Sequence, residues 1–229
     1  GPYQEYRSLR SVENIAALGK NLVIDLSGGW SFRVHLGIAG KCDTYPRGRR
    51  WRRSARSATL IVRTEAHEVV FFDAPQTKLL RTAHLRAVPG LVKLGPDLLG
   101  QRIDYAAILE RARQPGNAER PLGEVLLDQR IAAGIGNVYK SELLFLRRLS
   151  PWAPLSSLDD AKLLGLFKLA RELMKKNMRT RWRTTRFLPG GRHWVYGRTG
   201  RACFRCRTKI ESGRQGEQAR NTYFCARCQ

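Results

Sequence analysis

The chain has 229 residues, enough for one large domain or two modest ones with real cores. Its hydrophobic content of 42% is ordinary for a globular protein, and no apolar run approaches the ~20 residues of a membrane-spanning helix. A formal net charge of +23 and a pI of about 10.9 call for a polyanionic partner, nucleic acid first and an anionic membrane surface second. The opening Gly1-Pro2-Tyr3-Gln4-Glu5 is polar and lacks an apolar signal core, so the expectation is an intracellular protein of the cytoplasm or nucleoid.

Residues 1–98 read as β. Leu22–Leu26 and Phe32–Leu36 are short apolar runs joined by Ser27-Gly28-Gly29, a hairpin signal. Ala58–Arg63 and Val69–Phe72 form a second pair around a polar turn at Glu65–His67. Short strands with this punctuation predict a sandwich. Between the pairs runs Arg47-Gly-Arg-Arg-Trp51-Arg-Arg, ending near Arg56. It reads either as a solvated basic loop or, with Trp51 inside it, as a loop that faces phosphate. Cys42 is expected to be a free, partly buried thiol, and His35, His67, His84 and His193 have no ligand spacing.

From residue 99 to 188 the period becomes helical. Asp104 can cap a helix through Arg113, which Pro115-Gly116 ends. Pro121 leads a second helix over Leu122–Arg130. The glycine-rich turn Ala133-Gly134-Ile135-Gly136-Asn137 leads into a third over Val138–Arg148. Ser156 and Ser157, with Asp159 and Asp160 three residues on, are expected to start a fourth as a capping box would. Its core stripe is Leu163, Leu166, Phe167, Ala170, Leu173 and Met174, and Lys175 and Lys176 suit its C-terminal dipole. The helix–turn–helix around Gly134 and Gly136 offers exposed amides at Asn137–Tyr139, suited to a phosphate; a purely structural αα-corner is the alternative. Arg179–Arg192 reads as a mobile loop or linker.

The last segment, 189–229, holds four of the five cysteines, as Cys203-Phe-Arg-Cys206 and Cys225-Ala-Arg-Cys228. Two such pairs at the base of a hairpin can place four thiolates around one Zn²⁺. With all four ligands from protein the ion would be structural, because no position stays open for water. Disulfides or redox pairs are the other readings of the spacing, and an intracellular setting disfavours the disulfides.

Several pieces, in order, resemble the formamidopyrimidine-DNA glycosylase and endonuclease VIII family of base-excision repair enzymes. Ala17-Leu-Gly-Lys20-Asn-Leu-Val is similar to its "RGK-x-L-L" strand, and His35-Leu-Gly-Ile38-Ala-Gly40 to its "H-L-G-M-x-G". Leu94-Gly-Pro-Asp97 matches its "LGPD" boundary. Leu127-Asp-Gln129 and Gly134-Ile-Gly-Asn-Val-Tyr139 match its helix–two-turns–helix signature. Trp194-Val-Tyr-Gly-Arg198, the two cysteine pairs and Arg220-Asn-Thr-Tyr-Phe-Cys225 match its zinc finger. The resemblance implies an α+β multidomain fold: an N-terminal β-sandwich, a helical H2TH domain and a C-terminal β-hairpin zinc finger, with DNA in the cleft between. It implies a monomer acting on double-stranded DNA that contains damaged bases or abasic sites.

The resemblance also implies roles. The damaged base is flipped out of the duplex and a Schiff base forms at the sugar, followed by β- or β,δ-elimination. Lys20 matches a lysine that contacts phosphate and helps β-elimination. Asn137 matches the asparagine that holds a phosphate beside the lesion. Arg220 matches the finger arginine that grips phosphates and assists δ-elimination, and Lys93 aligns with a DNA-contacting arginine. Ile38 stands where the formamidopyrimidine branch has a wedging Met. That branch's Arg-Phe loop is replaced by the segment from Asp73 to Leu80, which points to the endonuclease VIII-like branch and oxidised pyrimidines. The family opens with Pro-Glu, its nucleophile and acid; Gly1-Pro2-Tyr3-Gln4 is similar to an interior stretch or a protease scar instead. Two activities are therefore expected as alternatives: a bifunctional glycosylase/AP lyase, or a module that grips damaged DNA without cutting it. A third, an RNA-associated basic protein, rests on charge and the helix–turn–helix alone.

Overall fold

The first unit, Gly1–Val92, holds seven strands among its described residues. They are β1 (Val12–Leu18), β2 (Asn21–Leu26), β3 (Trp30–His35), β4 (Lys41–Pro46), β5 (Ala58–Arg63), β6 (His67–Phe72) and β7 (Gln76–Arg81), of which β2, β3, β5 and β6 follow the short apolar runs. The structure is a computed structural model and describes residues 11–37, 39–180 and 182–229, without the side chains of Arg86 and Pro89. All pairings are antiparallel, in two sheets ordered β1-β2-β3-β7 and β4-β6-β5. The turn between β2 and β3 carries Gly28 and Gly29, both at positive φ, as the hairpin signal predicts. The sandwich core joins Ile24, Leu26, Phe32 and Val34 of the first sheet to Leu60 and Phe71 of the second.

The second sheet is also covered on its other face. Val70 and Phe72 pack there against Tyr45 and Ala58, with half-buried Trp51 and Ile61 alongside. Apolar cover on both faces explains why β6 reads as the unbroken run Val69–Phe72 rather than as an alternation. Cys42, on β4, is a free thiol as expected; the residue as a whole is exposed, while burial around the sulfur pushes its pKa up. A short helix, α1 (Pro89–Val92), closes the unit.

The second unit, Lys93–Gln229, contains α2 (Tyr105–Ala112), α3 (Leu122–Leu127), α4 (Asn137–Leu146), α5 (Asp160–Asn177) and a hairpin of β8 (Glu211–Gln215) and β9 (Arg220–Phe224). Asp104 caps α2 as expected, its carboxylate accepting from the Ala107 amide at 2.8 Å. α5 buries all six stripe residues, Leu163, Leu166, Phe167, Ala170, Leu173 and Met174, against Leu122, Leu126, Ile135, Leu143 and Leu144. α4 is buried from Val138 to Phe145.

Three local expectations are corrected. α3 ends at Leu127 and not Arg130: the Asp128 carboxylate takes the Arg130 amide at 3.0 Å and its guanidinium at 2.7–2.9 Å, which turns the backbone out of the helix. The cap of α5 is Asp159, which accepts from the Lys162 amide at 2.7 Å; Ser156 and Ser157 lie in a 3-10 turn before it. The segment 179–192 is tied down rather than a free linker. The Asn177 carboxamide accepts from Thr184 N at 2.6 Å and donates to Thr184 O at 2.8 Å, and Thr185 donates to buried Glu142. Among the described residues no helix is long and apolar enough to cross a membrane.

Candidate nucleic-acid interface

The double turn between α3 and α4 is stitched by one side chain. Gln129 Nε2 donates to Leu127 O at 2.7 Å and Ile135 O at 3.0 Å, while its Oε1 accepts from Gly134 N at 3.0 Å. A carboxamide is the one short side chain that can satisfy two carbonyls and an amide at once. Gly134 sits at φ +117, and a Cβ there would press to 2.7 Å from Met174 Cε, so both the turn and the packing exclude larger residues. Gly136, the residue before α4, is extended and provides no side-chain cap, which leaves the first amides of the helix to other acceptors.

β9 is laid beside that helix start by side chains. Asn137 Nδ2 donates to Asn221 O at 2.7 Å, and Ser141 Oγ accepts from Tyr223 N at 3.3 Å. Lys140 is fully buried, with Nζ 2.5 Å from Thr222 Oγ1; Thr222 in turn donates to Gln215 Oε1 at 3.0 Å. Burial, with the Arg220 charge nearby and only partly offset by Glu124, brings the Lys140 ammonium down to about 8. Arg220 opens β9, half-buried, its Nε 2.8 Å and Nη2 2.5 Å from Gln218 Oε1. Asn137 at the amino end of α4 and Arg220 at the start of β9 are thus carried on neighbouring elements, with the buried Lys140 ammonium near enough to feel the Arg220 charge. That arrangement suits a phosphate.

Glu142, one turn along α4, fixes the approach to the finger. Its carboxylate, fully buried, accepts from the amides of Trp194, Val195 and Tyr196, each at 2.8 Å, and from the Thr185 hydroxyl. Val195 and Phe145 then pack with Cys203, Ile210 and Cys225. The sulfurs of Cys203, Cys206, Cys225 and Cys228 all lie within 4.8 Å of one another. The Cys206–Cys225 and Cys203–Cys228 pairs are 3.4 and 4.0 Å apart, far beyond a disulfide bond and close to the ~3.8 Å edge of a tetrahedron with ~2.3 Å metal–sulfur bonds. All four are free thiols. A bond from the Thr208 hydroxyl helps pull the Cys206 thiol down to about 6, while burial and its neighbours push Cys228 up to about 12. Four sulfurs this close together form a donor set that fits a metal ion.

In the first unit Lys20 stands in the β1–β2 turn beside Gly19 (φ +59), not within a strand. The neighbouring Asn21 is buried and accepts from buried Arg33 Nε at 3.0 Å; Arg33 Nη2 donates to Gln76 at 3.2 Å. Asn21, His35 and Gln76 lie across one rung of β2, β3 and β7, so the same sheet end carries Lys20 and the start of the His35–Gly40 loop. His35 Nδ1 accepts from Gly37 N at 3.1 Å, and Gly37 packs on Pro75 so closely that a Cβ would come to 2.9 Å. Ile38, within that loop, lies outside the described residues, as do Gly1 and Pro2. Lys93 is exposed at the start of the second unit.

Sequence reasoning missed Lys140, Glu142 and Arg33. The signal for Lys140 was present: it lies three and four residues before Leu143 and Leu144, on the apolar face of a buried helix, where a lysine needs a partner.

A sandwich with a lysine-bearing turn, a helix–two-turns–helix body and a four-cysteine hairpin define an H2TH nucleic-acid-binding protein. Residues 94–188 match the formamidopyrimidine-DNA glycosylase H2TH domain. Over 223 residues the chain is 38% identical to probable endonuclease 8 2 of Streptomyces coelicolor, a match that covers 96% of this chain and 79% of that relative. It is 43% identical over 139 residues to the DNA-(apurinic or apyrimidinic site) lyase Nei2 of Mycolicibacterium smegmatis, covering 59% of this chain and 52% of that one. The crystal structure of the MutM (Fpg) protein of Thermus thermophilus superposes with a TM-score of 0.76 at 31% identity, over 96% of this chain and 83% of that chain. The chain belongs to the formamidopyrimidine-DNA glycosylase and endonuclease VIII family.

Proposed function

We propose that the protein is a base-excision DNA glycosylase/AP lyase that acts on oxidised bases, chiefly pyrimidines, in duplex DNA inside the cell. The observation that supports this reading is the tethering of β9, which opens on Arg220, to the start of α4 through Asn137 and Lys140, in a chain of this family. Asn137 and Arg220 grip phosphates on either side of the extruded nucleotide. Lys20 neutralises a backbone phosphate and serves as a proton donor in β-elimination, for which an ammonium on a tight turn is well placed. Arg220 assists the δ-step, Ile38 fills the space the base leaves, and Lys93 adds a backbone contact. Cys203, Cys206, Cys225 and Cys228 hold one structural Zn²⁺, which fixes the hairpin that presents Arg220. The protein works as a monomer on its duplex.

The test is borohydride trapping on a duplex with a single abasic site or oxidised pyrimidine. The 229-residue chain is compared with the same chain preceded by a Pro-Glu opening segment. The protein that opens on Pro-Glu is expected to give a trapped adduct and a nick. Lesion-selective binding by both proteins with neither adduct nor nick would overturn the enzymatic reading and leave a binding module.

A further inference from the structure

The loop from Arg47 to Arg56 takes no part in the site above, yet it is built. Six of its ten residues are arginines: Arg47, Arg49, Arg50, Arg52, Arg53 and Arg56, all exposed. Among the described residues only Arg53 of the six enters an ion pair, with Asp43 at 3.3 Å. Six like charges on so short a segment repel one another, and an unconstrained loop would spread them. This loop is held against that repulsion. Trp51 turns inward, donating from Nε1 to Glu68 at 3.0 Å and packing edge-on against Phe72 with ring centres 5.8 Å apart. Arg47 N bonds Ala66 O at 2.9 Å, Arg49 N bonds Pro46 O at 3.1 Å, and Ser54 caps the Arg56 amide at 3.3 Å. The backbone is thereby ordered while the guanidinium groups stay in solvent.

We infer that this Trp51-pinned arginine loop is a second nucleic-acid-binding surface, one that grips the phosphate backbone of duplex DNA without regard to sequence or lesion. Guanidinium forks match phosphate oxygens, and ordering the backbone that carries them beforehand reduces the loop entropy lost on binding. An acidic protein partner fits less well. Protein interfaces are anchored by an apolar or aromatic centre, and the loop's one large apolar side chain, Trp51, is committed to the sheet. The surface belongs to the first unit alone and works whether or not the protein excises a base.

The test is the salt dependence of binding to a lesion-free duplex, compared between the wild-type chain and the R47Q/R49Q/R50Q/R52Q variant. Exposed glutamines leave the Trp51 anchor and the fold in place, which circular dichroism verifies. Loss of two phosphate contacts would lower the slope of log K against log salt by about 1.8 and weaken binding about 60-fold at 0.1 M salt. Trp51→Leu, which keeps every charge but frees the loop, is expected to weaken binding several-fold with the slope nearly unchanged. An unchanged slope and affinity in the folded quadruple variant refutes the inference. So does a variant that binds DNA normally but loses affinity for a polyglutamate peptide, because the loop would then serve an acidic protein. Because the probe carries no lesion, failure here is separate from failure of the trapping assay.

Discussion

Replacing Lys140 by Met is expected to make the protein more stable and a poorer DNA binder. The ammonium is fully buried, and burial brings its pKa down to about 8 from a reference of 10.5. A depression of that size means the folded state holds the proton less well than the unfolded chain does. At pH 7 both states are protonated, and the fold carries a penalty of up to about 3 kcal/mol relative to a neutral side chain. The sign follows directly: between pH 8 and 10.5 the unfolded state binds more protons, so wild-type stability from this group rises with pH and the penalty disappears. Met has a similar volume and no charge. It loses the bond to Thr222, worth about 1 kcal/mol, while Thr222 keeps its bond to Gln215. The net expectation is a gain of about 1–2 kcal/mol at pH 7, or roughly 3–6 °C in Tm, shrinking towards zero or reversing by about pH 10. Differential scanning calorimetry at several pH values on both proteins measures it. Duplex affinity is expected to drop roughly five-fold, because a cation behind the Arg220 patch is gone. A K140M protein that is destabilised at pH 7, or whose advantage does not shrink as pH rises, would refute the reasoning.

Other perturbations probe the same architecture. Glu142→Ala removes the acceptor for three backbone amides and the Thr185 hydroxyl, and should destabilise the second unit by at least about 3 kcal/mol in urea titration. Burial alone would raise Asp128, but bonds from Arg130 and Arg120 hold it down to about 2, so about 2 kcal/mol of stability present above about pH 4 should be lost as the pH falls to about 2; Asp128→Asn should flatten that limb. Removing the metal of the proposed four-cysteine site with a chelator, or Cys225→Ala, should weaken DNA binding at least as much as Arg220→Ala while the α2–α5 core keeps its hydrogen-exchange protection.

The parts of the fold that were legible in the sequence are those where one physical cause dominates. Asp104, the stripe from Leu163 to Met174 and the paired cysteines each follow from a local rule, and each appears as read. β1, β4 and β7 gave no signal because much of their surface is exposed, so no apolar alternation is needed; the ladders to β2, β6 and β3 hold them instead. The early end of α3 was hidden for another reason. Leu122–Arg130 has adequate helix propensity, and only the three-dimensional fork of Arg130 and Arg120 on Asp128 shows why the chain turns there. In the site, Asn137 and Arg220 were visible through a resemblance, but the docking of β9 on α4 that brings their elements together was not. It depends on bonds across more than eighty residues, Asn137 to Asn221 and Lys140 to Thr222.

Those long-range bonds explain why three consecutive polar residues, Lys140, Ser141 and Glu142, sit in the middle of a buried helix. A helix with only apolar residues there would pack as well against α5, and by the argument for Lys140 would be more stable. It would have no means of fixing a polar hairpin, whose backbone amides need acceptors wherever they are buried. Ser141 takes the amide of Tyr223, Glu142 takes the amides of 194–196, and Lys140 reaches the Thr222 hydroxyl between them. The bonds from Lys140 and Ser141 hold β9, and those to Glu142 hold the segment before the hairpin, so the strand that opens on Arg220 is fixed against α4. Stability given up at Lys140 is therefore exchanged for a hairpin whose position on α4 is fixed in advance, which lowers the cost of ordering on any later binding.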